Sequence, residues 1–275
     1  MVFLVRARLF GLILLPMLGA GPAWAGGWTQ PEHGYYARIE LVTRSTRRVF
    51  AADGGTAAYS IGGGPGRYAA TGMRGYLEYG LGPGLTALAG LEWKRARITE
   101  TAARYTTSGF GDLKLGIRLG LAQRSAFPVG VQVEMNVPTG YDDTDVPALG
   151  SGQAEALVTA QVGHGFRGGY AAADFGGGRR PKDSAFLVVF GGEVGLNAPA
   201  HTVVRLALRG RRAIDPKTAT SRDPAVIERN RLAVSGALSV PLGPRLDLEG
   251  GVAGAVSGRN TLRGVEFTLA LAAHR

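Results

Sequence analysis

Apolar and polar residues alternate with a period of two along most of this chain. Between 111 and 121, Leu113, Leu115, Ile117, Leu119 and Leu121 fall on one side, while Asp112, Lys114, Gly116, Arg118 and Gly120 fall on the other. The stretch 129–137 repeats this without an error, and 186–196 does so through Phe186, Val188, Phe190, Val194 and Leu196. Runs at 202–208, 232–240, 246–252 and 265–271 follow the same rule, and 35–41, 68–79, 85–93, 154–162 and 170–175 follow it less regularly. A two-residue period is the signature of a strand with two unlike faces, so the chain reads as twelve strands.

The connectors alternate in length as regularly as the strands alternate in polarity. Short ones at 80–84, 123–128, 163–168, 197–200 and 242–245 carry the Gly and Pro of tight turns. Long ones occupy 44–67, 94–108, 138–153, 174–184, 209–231 and 255–263. An even strand number, short turns at one end with both termini, and long loops at the other is the layout of an outer-membrane barrel. The first 25 residues agree: Arg6 and Arg8 precede an apolar run over 9–18, and Ala23-Trp24-Ala25 is a cleavage site. The expected organisation is a secretory signal at 1–25, read by the general export machinery of a Gram-negative envelope, and one barrel over 26–275. The expected fold class is all-β, a single transmembrane antiparallel up-and-down barrel of about twelve strands.

Charge placement sharpens this. The strands hold Arg38, Arg74, Lys114, Arg118 and Arg205, together with Glu40, Glu78, Glu92, Asp112, Glu134, Glu155, Glu193, Asp247, Glu249 and Glu266. All fifteen share the parity of the non-apolar face and are expected to line the lumen. A base facing lipid near the midplane would cost roughly 2–4 kcal/mol, which a bilayer selects against. A soluble exported barrel with its apolar face inward would alternate equally well. Twelve strands, however, enclose a lumen too wide for Leu and Val to fill. The polar face is also rich in small residues such as Gly116, Gly130, Gly191, Ala233 and Ser235. Interfacial aromatics would come from Tyr35, Tyr79, Trp93, Phe110, Phe186, Phe190 and Phe267, and the chain ends Ala272-Ala-His-Arg275 where outer-membrane barrels usually finish on an aromatic.

Composition removes several chemistries. The 275 residues include no Cys, which excludes a disulfide scaffold, a thiolate metal site and a thiol nucleophile. The formal charge of +10 does not gather in one block, and no aromatic-and-basic stacking platform accompanies it, so nucleic acid is not an expected partner. A barrel hydrolase would need a Ser with a His in reach. His33, His164, His201 and His274 all fall at the short-turn end, away from the outer leaflet. Asp142, Asp143 and Asp145 share an outer loop without the spacing of a calcium loop, and 62–66 and 176–180 lack the ending of a phosphate loop, so all three are expected to be ordinary loops. No catalytic, metal or cofactor residue is assigned.

Gly26-Gly-Trp-Thr-Gln-Pro31, the strand 109–118 with its Gly109-Phe-Gly-Asp112 opening, Val137-Pro-Thr-Gly140 and Gly150-Ser-Gly-Gln-Ala154 resemble the family of outer-membrane transporters of the MetA pathway of phenol degradation. The resemblance implies an outer-membrane barrel that moves a small solute. The expected function is a passive channel or uptake pore for small, possibly apolar or aromatic, solutes. The alternatives are a non-conducting structural or surface-binding barrel and, from another class, a membrane-embedded hydrolase. Expected partners are outer-membrane lipid and lipopolysaccharide, the barrel-assembly machinery and an unidentified small solute. Arg44, Arg47, Arg48, Arg95, Arg97, Arg211 and Arg212, in the long connectors, are expected to contact lipopolysaccharide phosphates. Five bases against ten acids on the strands give an expected weak cation preference.

Overall fold

Each alternating run becomes a strand that hydrogen-bonds antiparallel to its neighbours, and the last strand returns to the first. The computed structural model describes residues 26–142, 144–181, 185–214 and 230–275. The signal expected at 1–25 lies outside the described residues, as do Asp143, residues 182–184 and residues 215–229 of the expected connectors. The strands are β1 (Tyr35–Thr46), β2 (Arg48–Phe50), β3 (Thr56–Ala58), β4 (Gly66–Gly82), β5 (Leu85–Glu100), β6 (Arg104–Phe110), β7 (Leu113–Gly120) and β8 (Val129–Val137). They continue as β9 (Glu155–Phe166), β10 (Gly169–Arg180), β11 (Ala185–Asn197), β12 (Val203–Ile214), β13 (Asn230–Gly243), β14 (Leu246–Arg259), β15 (Thr261–Leu262) and β16 (Val265–His274).

Pairing of β1 with both β4 and β16 closes a barrel of 12 strand positions. One position is shared. β6 pairs with the outer part of β5 and β7 with the inner part, and the register slips by one residue between them. Trp93 faces Phe110 while Gly90 faces Lys114. The slip is a bulge at Gly111–Asp112, and it swings Asp112 to the inside although Phe110, two residues earlier, points out.

The start of the first strand and the end of the last lie together at the short-turn end, where Tyr35 and Arg275 exchange backbone hydrogen bonds of 3.3 and 3.0 Å. By the convention of such barrels this end is periplasmic. Outward-facing apolar side chains form a continuous exposed belt, Ile39 at 60% and Leu206 at 61% among them. On β5 the apolar outward run from Leu85 to Trp93 spans about 21 Å of membrane normal, at about 3.4 Å per residue and a tilt near 40°. Phe110, Phe186, Phe190 and Phe267 are exposed on the same face.

Several connectors are shorter than their sequence implies, because the hydrogen-bond ladder continues after the apolar alternation stops. β5 runs on through Arg95, Arg97 and Thr99; β10 includes 176–180, expected to be a loop; and β12 continues to Ile214. Outside the bilayer the outward face no longer needs to be apolar, so the pattern fades while the strand persists. The long connector after β1 also folds. β2 pairs with β3 and with β15, making a small sheet over the outer mouth. Beneath it Val49, Tyr59 and Leu262 pack against the inward-facing Tyr68, Ala70, Ala96 and Ile98.

Candidate functional site: the lumen and its N-terminal segment

Inward-facing positions on nine strands converge on one cavity of about 500 Å³ in the middle of the barrel. Its lining carries Arg38, Arg74, Lys114, Arg118 and Arg209 against Glu40, Glu92, Asp112, Glu134 and Asp174. The uncharged lining includes Tyr76, Gln132, Asn136, Thr159 and Gln161, with Leu157 and Val189 towards the outer end.

The charges are organised as ion pairs rather than as free groups. Glu249, 1% exposed, receives Arg38 at 2.9 Å and Arg205 at 3.1 Å. Glu40 joins Arg38 to Arg74, the latter at 2.5 Å. Lys114 meets Glu134 at 2.8 Å, and Arg209 meets Asp174 at 2.6 Å and Glu193 at 3.8 Å. Farther out, Glu266 holds Arg44, while Glu155 accepts Arg211 and lies 3.7 Å from Arg180. Tyrosines complete the net: Tyr170 donates to Glu193 at 2.5 Å and Tyr36 to Glu249 at 3.4 Å. A buried charge is costly unless a counter-charge lies beside it, and alternating signs on adjacent strands supply that pairing here.

The structure turns all fifteen strand charges named in the sequence to the inside, including Glu78 on Arg118 and Asp247, which meets His274 at 3.3 Å. It also turns inward charges expected in loops, among them Arg44, Asp174, Arg180, Arg209 and Arg211. Arg44 and Arg211 therefore correct the lipid-contact expectation, because each is committed to a carboxylate inside the barrel. Their parity was the available signal, since both continue the polar register of their strand. Arg47 and Arg48 belong to the outer cap, while Arg95, Arg97 and Arg212 point away from the lumen.

The periplasmic end holds a feature that no alternation could reveal. Residues Gly26–Gln30 do not trail into solvent; they cross the lumen. The Gln30 amide donates to Thr86 Oγ1 at 2.8 Å, and its side-chain amide donates to Glu78 at 2.9 Å. Glu78 also accepts from Tyr76 at 2.7 Å and from Arg118 at 3.1 Å, while Arg118 reaches the Trp28 carbonyl at 3.1 Å. The Thr29 amide donates to Gln123 at 3.0 Å, and Gln123 in turn donates to the Gly27 carbonyl. The Trp28 ring stands edge-on to Tyr170, with centroids 5.9 Å apart. Its space exists because position 163 is glycine; a Cβ there would strike the indole, and one at Gly80 would strike the Pro31 carbonyl.

The remaining candidate groups stay at the rims. His33 lies beside Tyr79, His164 stacks on Phe127, and His201 and His274 close the same periplasmic end. In the outer loop Asp142 folds onto the Thr144 amide and hydroxyl at 2.8 and 2.7 Å, which holds its carboxyl below the usual carboxylate range. Ser151 donates to Asp112 at 3.0 Å, tying that loop to the bulge.

No protein-family model matches the chain, and neither does any curated protein. Solved structures do. The COG4313 outer membrane channel from Pseudomonas putida F1 superposes with a TM-score of 0.69 at 16% identity, covering 93% of this chain and 99% of that one. The translocator domain of the autotransporter NalP from Neisseria meningitidis gives 0.51 at 14% identity, over 87% and 88% of the two chains. The NanC porin gives 0.51 at 8% identity, over 85% and 98%. At such identities the likeness establishes the fold alone, the closed antiparallel β-barrel of outer-membrane proteins.

Proposed function

We propose that this protein is an outer-membrane channel for small solutes, exported on residues 1–25 and obstructed at its periplasmic end by its own N-terminal segment. The observation that carries the reading is the polar chamber of about 500 Å³, with five residues on its periplasmic side that hydrogen bonds and the packing of Trp28 hold in place. Its volume lies within the range that encloses a small ligand, about 300–1,000 Å³. Leu157 and Val189 give the chamber an apolar outer shoulder, which supports small apolar or aromatic solutes, as does the resemblance to phenol-pathway transporters. Likeness to a solved outer membrane channel along nearly the whole chain supports the same class.

A second reading has one observation in its favour. The apolar cluster of Tyr59, Tyr68 and Ile98, each at most 1% exposed, fills part of the outer mouth and suits a barrel closed for structural purposes. Planar-bilayer recording separates the two. A channel shows small unitary currents in the full protein and several-fold larger, steadier currents once residues 26–31 are deleted. Absence of current from both forms would sink the channel reading and leave the structural one.

A further inference from the structure

The arginines of this barrel fall into two populations. Those inside each face a carboxylate, as with Arg38, Arg118 and Arg209. Four close together on the outer wall do not: the side chains of Arg67 on β4, Arg95 and Arg97 on β5, and Arg104 on β6 have no hydrogen bond or ion pair among the described residues. Register places them together. Met73, Trp93 and Phe110 form one outward-facing row across β4, β5 and β6. The rows above it are Thr71–Arg95–Ser108, then Ala69–Arg97–Thr106, then Arg67–Thr99–Arg104. With strands about 4.8 Å apart and about 3.4 Å per residue, the four guanidinium stems leave a patch about 10 Å wide and about 14 Å tall.

No acid interrupts these rows. The nearest, Glu100, turns inward and is taken by the amides of Ile61 and Gly63 at 2.6 and 2.7 Å. Arg97 is half-buried, and its Nε is buried without an acceptor. A buried, unmet guanidinium N–H is costly, so this wall is incomplete as it stands. The patch begins one row beyond an aromatic row on the membrane face, which is the level of the outer headgroups. What lies against a barrel wall at that height is lipid. We propose that this patch binds the phosphate groups of the lipid A glycolipid in the outer leaflet. The arginine forks would meet phosphate oxygens bidentately, neighbouring hydroxyls would donate to the same groups, and Trp93 and Phe110 would lie along the acyl chains.

Lipid-free protein refolded in detergent is titrated with bisphosphorylated lipid A and followed by native mass spectrometry. The wild type should retain the glycolipid at least ten times more tightly than R67Q/R95Q/R97Q/R104Q. Dephosphorylated lipid A and phosphatidylglycerol should bind the wild type no better than lipid A binds the variant, and millimolar inorganic phosphate should not displace the glycolipid. Should the fourfold variant fail to fold, the wild type's preference for phosphorylated over dephosphorylated lipid A, tenfold or absent, decides alone. Equal retention by folded variant and wild type, equal binding of the two lipid A forms, or phosphatidylglycerol matching lipid A would each overturn the proposal.

Discussion

Glu249 has almost no contact with water and receives two guanidiniums, those of Arg38 and Arg205. Neutralising it leaves two buried cations short of their counter-charge, the arrangement that mutational work finds most damaging. Glu249→Gln should lower stability by about 3 kcal/mol, read as a shifted urea midpoint with an unchanged slope. A midpoint within experimental error of the wild type would mean that the pair is solvated after all. Gly163 makes the opposite kind of prediction, a gain. In Gly163→Leu the new side chain occupies the place of the Trp28 indole. The barrel should keep its stability while the unitary current rises towards that of the form lacking residues 26–31.

At the scale of single strands, period two carried most of the information, and β7 shows how far it reaches. Leu115 and Ile117 are half exposed on the outside, while Lys114 and Gly116 face inward, Lys114 into the chamber. Single cysteines at 114 and 116 should react with a water-soluble maleimide, and those at 115 and 117 should be spared. Cysteine at 118 should stay protected until the N-terminal segment is removed, because Arg118 is sealed beneath the Trp28 carbonyl. Labelling at 115 and 117 would place the apolar face in water and end the membrane assignment. The strands were legible because a bilayer forces one face to be apolar. Their outer extensions were not, because past Trp93 the outward face changes to Arg95 and Arg97 without any change in backbone. The segment Gly26–Gln30 left no periodic trace at all. Five residues cannot display a period, and their fit depends on glycines at 80 and 163, far along the chain.

For the molecule as a whole, charge balance governs what the chamber can favour. Counting only strand residues suggested an acidic bore. The inward turn of Arg44, Arg180, Arg209 and Arg211 removes most of that excess, and the chamber lining holds five bases and five acids. The form lacking residues 26–31 should therefore discriminate little between potassium and chloride, with a reversal potential close to zero in a KCl gradient. Lys114→Glu leaves Glu134 without its cation and adds a charge of the same sign. It should tilt the current towards cations, most visibly at low salt, where screening is weakest. A strong anion preference in either form would show that the outer cap, not the chamber, sets selectivity.

The N-terminal segment also bears on the order in which the molecule is made. It leaves the ribosome ahead of every strand, yet its partners are Glu78, Thr86, Arg118, Gln123, Gly163 and Tyr170. Those six lie on or beside β4, β5, β7, β9 and β10, and they surround a common axis only after β16 has met β1. The segment made ahead of every strand is thus the last to find its place. On the proposed channel reading, a newly assembled copy passes through a stage as an unobstructed tube, open to the envelope from the zipping of the final strand until Trp28 docks.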